Sequence, residues 1–143
     1  VRDFYFYEAR LKTGVKEFLA VMRERGILMA AATASSREHV EAAFRRLGID
    51  GYFGRIFTCA EVGAGKRYPL IYERAAGYLG AKPGEILVFE DVLYAVETAK
   101  GAGFHTVGVY DRFSAGETDK IKSLADVYAR EFTKELAEHL CGR

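Results

Sequence analysis

The stretch that decides the fold is Ile86-Leu87-Val88-Phe89-Glu90-Asp91. Its four apolar residues lead directly into two adjacent carboxylates, and a short apolar run of this kind is typical of a strand buried on both faces of a parallel sheet. Open α/β sheets bind ligands at the carboxyl ends of their strands, where Glu90 and Asp91 stand. Neighbouring carboxylates repel each other and are costly to desolvate, so the pair favours a cation site. The alternative is that Asp91 only caps the following helix.

Outside this stretch, apolar residues at helical spacing alternate with further short apolar runs. One such helical stripe, at positions i, i+3, i+4 and i+7, consists of Val15, Phe18, Leu19 and Met22. Strands are predicted to end near Thr33, Cys59, Asp91 and Val109, a short one is predicted over 125–129, and 110–122 reads as a polar connection. Alternating helices and strands require crossover connections, so we expect one three-layer α/β domain whose parallel sheet has helices on both faces.

Composition narrows the class of protein. The chain has 143 residues, enough for one domain with a real core, and half of them are hydrophobic. Its 21 basic and 20 acidic residues leave a net charge of +1, which gives no support for a nucleic-acid or membrane partner. No apolar run resembles a membrane span or a signal peptide. Cys59 and Cys141 lack metal-ligand spacing, so we expect reduced thiols in a cytoplasmic protein.

A hydroxyl-rich segment, Thr33-Ala34-Ser35-Ser36, connects a predicted strand to a predicted helix. Ser35 followed by Glu38 three residues later fits a capping box. Free N–H groups and partial positive charge at a helix N-terminus can hold a phosphate, and Thr33 would add a hydroxyl donor. Helix capping alone is the alternative for this segment.

A glycine-rich loop, Gly63-Ala64-Gly65-Lys66, follows the third predicted strand. It is not a P-loop, because Ala60 and Arg67 stand where that motif needs a glycine and a hydroxyl residue. In isolation Lys66 would be taken for a solvated surface lysine. Parallel strands, however, bring Thr33, Lys66 and the acidic pair to one edge of the sheet. A hydroxyl and a cation suit phosphate and the carboxylates suit Mg²⁺, so the set indicates phosphoryl transfer.

Several segments in this order resemble the haloacid dehalogenase superfamily of phosphatases and phosphomutases, closest to its β-phosphoglucomutase-like subgroup. The resemblance runs from about Leu11 to Asp111. The segments that carry it are Gly14-Val15-Lys16-Glu17-Phe18-Leu19, Ala32-Thr33-Ala34-Ser35-Ser36, Gly65-Lys66 with Pro69, Val88-Phe89-Glu90-Asp91 and Ala99-Lys100-Gly101-Ala102-Gly103-Phe104.

The resemblance implies a Rossmann-like sheet and Mg²⁺-dependent chemistry on a small phosphorylated metabolite. By this resemblance the Thr33 hydroxyl and the backbone N–H of Ala34 hold the transferring phosphoryl group. Lys66 neutralises the phosphate and the nucleophile. Asp91 binds Mg²⁺, and Glu90 does so directly or through water.

Two features of that family are missing from the sequence. Its first motif, Asp-x-Asp, supplies the nucleophile and the general acid/base, yet none of the six aspartates here has another aspartate two residues later. A helical cap is also missing, and residues 1–13 are expected to be the exit from it, which makes 1–143 a partial core domain. The family's first strand, which lies in mid-sheet, is also expected to be lacking here, so we expect preceding residues, a partner chain or direct contact between the flanking strands to fill that position.

Two classes of function follow. The first is an enzyme, a Mg²⁺-dependent phosphatase or alternatively a phosphohexomutase, of which residues 1–143 alone are expected to be inactive. The second is a non-catalytic remnant or interaction domain that keeps the fold without the nucleophile. A phosphoacceptor receiver domain is excluded, because its acidic pair precedes its threonine and lysine along the chain, whereas here Thr33 and Lys66 come first.

Overall fold

Six parallel strands form one sheet in the computed structural model, which describes residues 3–7 and 14–142. The strand order is β3-β2-β1-β4-β5-β6. The strands are β1 (Asp3–Tyr7), β2 (Leu28–Thr33), β3 (Arg55–Thr58), β4 (Ile86–Glu90), β5 (His105–Val109) and β6 (Val127–Ala129). The predicted α/β class and parallel sheet are confirmed.

Seven α-helices lie in the described part of the chain, together with 3₁₀ turns at Asp50–Tyr52, Pro83–Glu85 and Arg112–Glu117. The helices are α1 (Val15–Glu24), α2 (Arg37–Leu47), α3 (Cys59–Val62), α4 (Leu70–Leu79), α5 (Leu93–Gly101), α6 (Thr118–Leu124) and α7 (Lys134–Cys141). One hydrophobic cluster joins α1, α2 and α7 to one face of the sheet, and a second joins α4 and α5 to the other face. The sheet is therefore covered on both sides, as predicted.

Alternation along β4 divides its side chains between the two clusters. Ile86 and Val88 belong to the cluster with α4, whereas Leu87 and Phe89 belong to the cluster with α1. Successive side chains of a strand point to opposite faces, so Glu90 continues the face of Ile86 and Val88. This parity directs the first carboxylate of the acidic pair towards α4.

The centre of the sheet is occupied by β1, which corrects two expectations. Tyr5 is in register with Ala30 of β2 on one side and with Val88 of β4 on the other. The chain's own Asp3–Tyr7 pairs at this position, in place of the three expected alternatives of preceding residues, a partner chain or direct contact between β2 and β4. These five residues form a strand, whereas they were expected to belong to the exit from a cap. Aromatic residues favour strands, and a gap would have left backbone N–H and C=O groups unpaired. The remainder of the expected exit, residues 1, 2 and 8–13, lies outside the described residues.

Two short helices were missed in the sequence. The connection predicted over 110–122 contains a 3₁₀ turn and most of α6, whose buried residue is Ile121. A Cβ atom on Gly108 of β5 would lie 2.5 Å from Ile121 Cγ2, so this glycine lets α6 approach the sheet. The helix α3 spans four residues, too few for a periodic pattern.

Both cysteines are free thiols, as predicted. Within residues 3–7 and 14–142, no helix has the length and apolar character needed to cross a bilayer.

Candidate functional site

The chemically active side chains predicted from the sequence lie at the carboxyl edge of the sheet. Thr33 ends β2 and Glu90 ends β4, and both strands run parallel to β1 between them. Two strand spacings separate their backbones by about 10 Å. Lys66 lies between α3 and α4, and Asp91 directly follows β4. The structure brings Lys66 into contact with Glu90, whereas Thr33 stands across β1 from them.

Thr33 is fully buried and organises the turn into α2. Its Oγ1 accepts a hydrogen bond from the backbone N–H of Ser35 at 3.0 Å. The capping residue of α2 is Ser36, whose Oγ accepts from the N–H of His39 at 3.3 Å, so the capping box expected of Ser35 and Glu38 is corrected. Because the Ser35 N–H donates to the Thr33 hydroxyl, the helix begins only after Ser36, whose backbone is extended. A hydroxyl that accepts with its oxygen keeps its hydrogen for donation to a ligand.

Arg37 fastens the start of α2 to the adjacent edge strand. Its guanidinium donates to both carboxylate oxygens of Glu61 at 2.8 Å and to the carbonyl oxygen of Ile56 at 2.7 Å. The hydrogen bond to Glu61 raises the pKa of Arg37 above its ordinary value. This clamp was not found in the sequence, because Arg37 and Glu61 are distant along the chain and show no local pattern.

The strongest electrostatic feature of the site is a buried cluster of three side chains. Lys66 Nζ donates to Glu90 Oε2 at 2.6 Å, and the Tyr72 hydroxyl donates to the same oxygen at 2.8 Å. The relative exposure is 4% for Lys66 and 0% for both Glu90 and Tyr72. Lys66 is therefore not the solvated surface lysine that its local sequence suggests.

Burial shifts the titration of both charged members of this cluster. It raises the pKa of the Glu90 carboxyl, against the opposing effect of the Lys66 ammonium. It likewise lowers the pKa of Lys66, against the opposing effect of Glu90. A buried ion pair is retained only when good geometry and further hydrogen bonds compensate for the lost hydration. The Tyr72 hydroxyl supplies such a bond.

The acidic pair can hold a divalent cation. Glu90 Oε1 is buried and has no hydrogen-bond partner among the described residues, and Asp91 is adjacent in sequence and 6% exposed. No group of three or more His, Cys, Asp or Glu residues that could hold a metal occurs within 3–7 and 14–142. Mg²⁺ commonly uses one or two protein carboxylates and completes its shell with water and substrate phosphate. Two adjacent carboxylates therefore fit Mg²⁺ if a phosphate supplies further ligands.

Tyr72 is the member of the site that sequence reasoning missed. Tyr72 has the helical spacing of an apolar residue with Ala75, Ala76 and Leu79 of α4, and all four are buried, so the pattern predicts a core position for it and no chemical role. Its hydroxyl was the available signal, because a buried tyrosine usually has a hydrogen-bond partner.

Comparison with known proteins gives a consistent result. The model of a family described as haloacid dehalogenase-like hydrolase matches residues 1–103. A phosphorylated carbohydrates phosphatase from Thermotoga maritima is 32% identical over 105 residues, which are 73% of this chain and 49% of that protein.

Solved structures share the fold. A Thermotoga maritima protein provisionally named a beta-phosphoglucomutase has a TM-score of 0.77 and 28% identity, and the match covers 95% of this chain and 61% of that one. A HAD phosphatase from Thermococcus onnurineus has a TM-score of 0.79 and 25% identity, with 93% and 59% covered. The chain thus spans about half the length of the curated phosphatase and about three fifths of these two structures.

Proposed function

Since the chain belongs to the haloacid dehalogenase-like hydrolases, we propose that it supplies the phosphate- and metal-binding part of a Mg²⁺-dependent phosphatase for a small phosphorylated metabolite. The observation that carries the proposal is the buried contact between Lys66 and Glu90 at the carboxyl edge of the sheet. Folding alone does not require an ion pair there, because apolar residues of similar volume are often as stable. A lysine held beside an acidic pair suits the charge of a phosphoryl group.

Each residue has a defined task in this proposal. The Thr33 hydroxyl and the backbone N–H of Ala34 donate to oxygens of the phosphoryl group, from the turn that Ser35 stabilises. Lys66 neutralises the negative charges of the phosphoryl group and the nucleophile, which repel each other as they approach. Such groups act by positioning and charge neutralisation, which dominate catalysis of phosphoryl transfer.

Asp91, with Glu90 Oε1 directly or through water, would hold Mg²⁺. Mg²⁺ held there would supply positive charge that neutralises the phosphoryl oxygens. The residues of this chain contribute the two carboxylates, both of which are buried.

The nucleophile is absent from the 143 residues, because no Asp-x-Asp occurs in them. We therefore propose that residues 1–143 do not turn over phosphate esters by themselves, and that a longer protein containing them, called the full-length protein below, does so with a nucleophile from its further residues. The absence of this motif also favours a second candidate function, a non-catalytic domain that retains the fold for interaction.

The test compares two proteins whose intact masses are verified first. The full-length protein and residues 1–143 are assayed for phosphate release from p-nitrophenyl phosphate and a panel of sugar phosphates, with Mg²⁺ and with EDTA. Mg²⁺-dependent release by the full-length protein alone is the expected result. Appreciable release by the 143-residue chain would overturn the mechanism, and inactivity of the full-length protein on every ester would favour the non-catalytic candidate.

Mutase chemistry is distinguished by the product. The resemblance to a structure provisionally named a beta-phosphoglucomutase favours this alternative. Conversion of a hexose 1-phosphate to its 6-phosphate without net release of inorganic phosphate would establish a phosphohexomutase in place of a phosphatase.

A further inference from the structure

The side of β4 on which Glu90 lies determines what its carboxylate meets. Glu90 follows the parity of Ile86 and Val88, whose face is packed against α4. Tyr72 lies in the first turn of α4 and is fully buried. The carboxylate of Glu90 is therefore directed at the Tyr72 hydroxyl, 2.8 Å away.

One oxygen of Glu90 receives both neighbouring donors. Lys66 Nζ and the Tyr72 hydroxyl donate to Oε2, at 2.6 Å and 2.8 Å. Two donors on a single oxygen fix the rotation of a carboxylate, whose terminal torsion is otherwise broad. The orientation of Glu90 in turn determines where the Lys66 ammonium lies.

Tyr72 is itself held rigidly. Its ring packs against that of Phe104 with the centroids 6.1 Å apart, inside the cluster that joins α4 to the sheet. Its hydroxyl has one hydrogen, which it donates to Glu90 Oε2, so we expect its effect on the reaction to pass through Glu90.

We propose that Tyr72 is a positioning residue, which holds Glu90 so that Oε2 fixes the Lys66 ammonium at the phosphoryl site. The inference rests on the proposed function and adds a residue to it. Lysine has a long, flexible side chain, and ordering it in advance removes the cost of ordering it during the reaction. A preorganised charge stabilises the transition state without reorganisation.

The test is Tyr72→Phe in the full-length protein, a change that keeps the ring and its packing and removes only the hydroxyl. We expect kcat to fall about tenfold, as for loss of a hydrogen bond to a charged group. The KM for the phosphate ester and the Mg²⁺ concentration for half-maximal rate should each stay within about twofold, because neither contact is removed. In a crystal structure of the variant, Lys66 Nζ and Glu90 Oε2 should be more than about 3.5 Å apart or the carboxylate rotated.

Tyr78→Phe is the matched control, since Tyr78 lies on the same helix and is 45% exposed. It should leave kcat, KM and the Mg²⁺ requirement unchanged. Thermal unfolding and circular dichroism of both variants show whether a change in rate reflects a change in fold.

The outcomes separate this inference from the function on which it rests. Wild-type kcat in Tyr72→Phe with the 2.6 Å contact unchanged would overturn the inference alone. A raised Mg²⁺ requirement with kcat retained at saturating Mg²⁺ would also overturn it, because Tyr72 would then act through the metal. If the wild-type full-length protein has no phosphatase activity, the proposed function fails, and the crystal structure of the variant still decides whether Tyr72 positions Lys66.

Discussion

Among single residues, Lys66 combines a structural and a chemical task, and its removal should affect both. Lys66→Ala leaves the Glu90 carboxylate buried without its ion-pair partner, so the free energy of unfolding should fall by about 3 kcal/mol. The loss of the charge should lower kcat of the full-length protein at least roughly 100-fold. Urea unfolding and steady-state phosphatase assays measure the two effects, with Lys134→Ala, an exposed lysine of α7, as the control.

A double variant separates these two effects of Lys66. Lys66→Met with Glu90→Gln removes both charges, so much of the lost stability should return while the activity stays low. If Lys66→Ala retains the kcat of the wild-type protein, Lys66 does not belong to the phosphoryl site.

Asp91 is the carboxylate most directly assigned to the metal. Asp91→Asn keeps the shape of the side chain and removes the negative charge that attracts a hard cation such as Mg²⁺. We expect the Mg²⁺ concentration for half-maximal rate to rise at least roughly tenfold, and direct Mg²⁺ binding measured by calorimetry to weaken in parallel. Asp119→Asn, at an exposed position of α6, is the control. An unchanged Mg²⁺ requirement in Asp91→Asn would exclude Asp91 as a ligand.

The sequence alone predicts which functional side chains lie at the ends of strands. It does not predict which of these side chains contact one another. Thr33, Glu90 and Asp91 follow apolar runs, and a parallel sheet collects such positions at one edge. The burial of Lys66 depends on the path of the loop between α3 and α4, which no local pattern encodes. The role of Tyr72 could not be predicted, because a tyrosine fits the apolar spacing of a helix regardless of which group its hydroxyl contacts.

At the scale of secondary-structure elements, Asp126 links the start of β6 to β5 and α5. Its Oδ2 accepts from the backbone N–H and the hydroxyl of Thr106 at 2.7 and 3.1 Å, and its Oδ1 accepts from Lys100 Nζ at 2.9 Å. Burial opposes ionisation of Asp126, but these hydrogen bonds prevail and hold the pKa of its carboxyl below the ordinary value.

The lowered pKa of Asp126 predicts a pH-dependent contribution to stability. Because the folded state favours the charged carboxylate, the contribution is complete above the unfolded pKa, about 3.9, and is lost as the pH falls through the lower folded value. Asp126→Asn should therefore cost about 1 kcal/mol of unfolding free energy at pH 7, and the difference from wild type should shrink below about pH 4. Urea unfolding at several pH values measures this, and a difference that grows on acidification would contradict the assignment.

The helices differ in how clearly the apolar spacing of the sequence predicts them. The helices α1, α4, α5 and α7 carry buried residues at helical spacing, so apolar spacing was enough to place them. Within α6 the buried residue is Ile121, and its packing depends on the absence of a side chain at Gly108 on a different element. Contacts of that kind are tertiary and leave no periodic trace in the helix itself.

At the scale of the whole molecule, β1 joins two halves of the sheet. On one side it pairs with β2, which continues to β3, and on the other with β4, which continues to β5 and β6. The need for a strand at this position followed from the unpaired backbone groups that a gap would leave. Its identity did not follow, because the family resemblance assigned residues 1–13 to the exit from a cap domain, although a short aromatic run is compatible with a buried strand.

The central position of β1 predicts that a single backbone change there should weaken the entire sheet. Tyr5 is in register with both Ala30 and Val88, so a proline at this position removes an N–H from a strand with neighbours on both sides. Tyr5→Pro should lower the free energy of unfolding by about 3 kcal/mol or more and reduce hydrogen-exchange protection of amides in both β2 and β4. Tyr5→Val keeps the N–H and a strand-favouring side chain, so its protection pattern should match that of wild type. If Tyr5→Pro leaves stability and exchange unchanged, β1 does not join the two halves, and another segment must pair with β2 and β4.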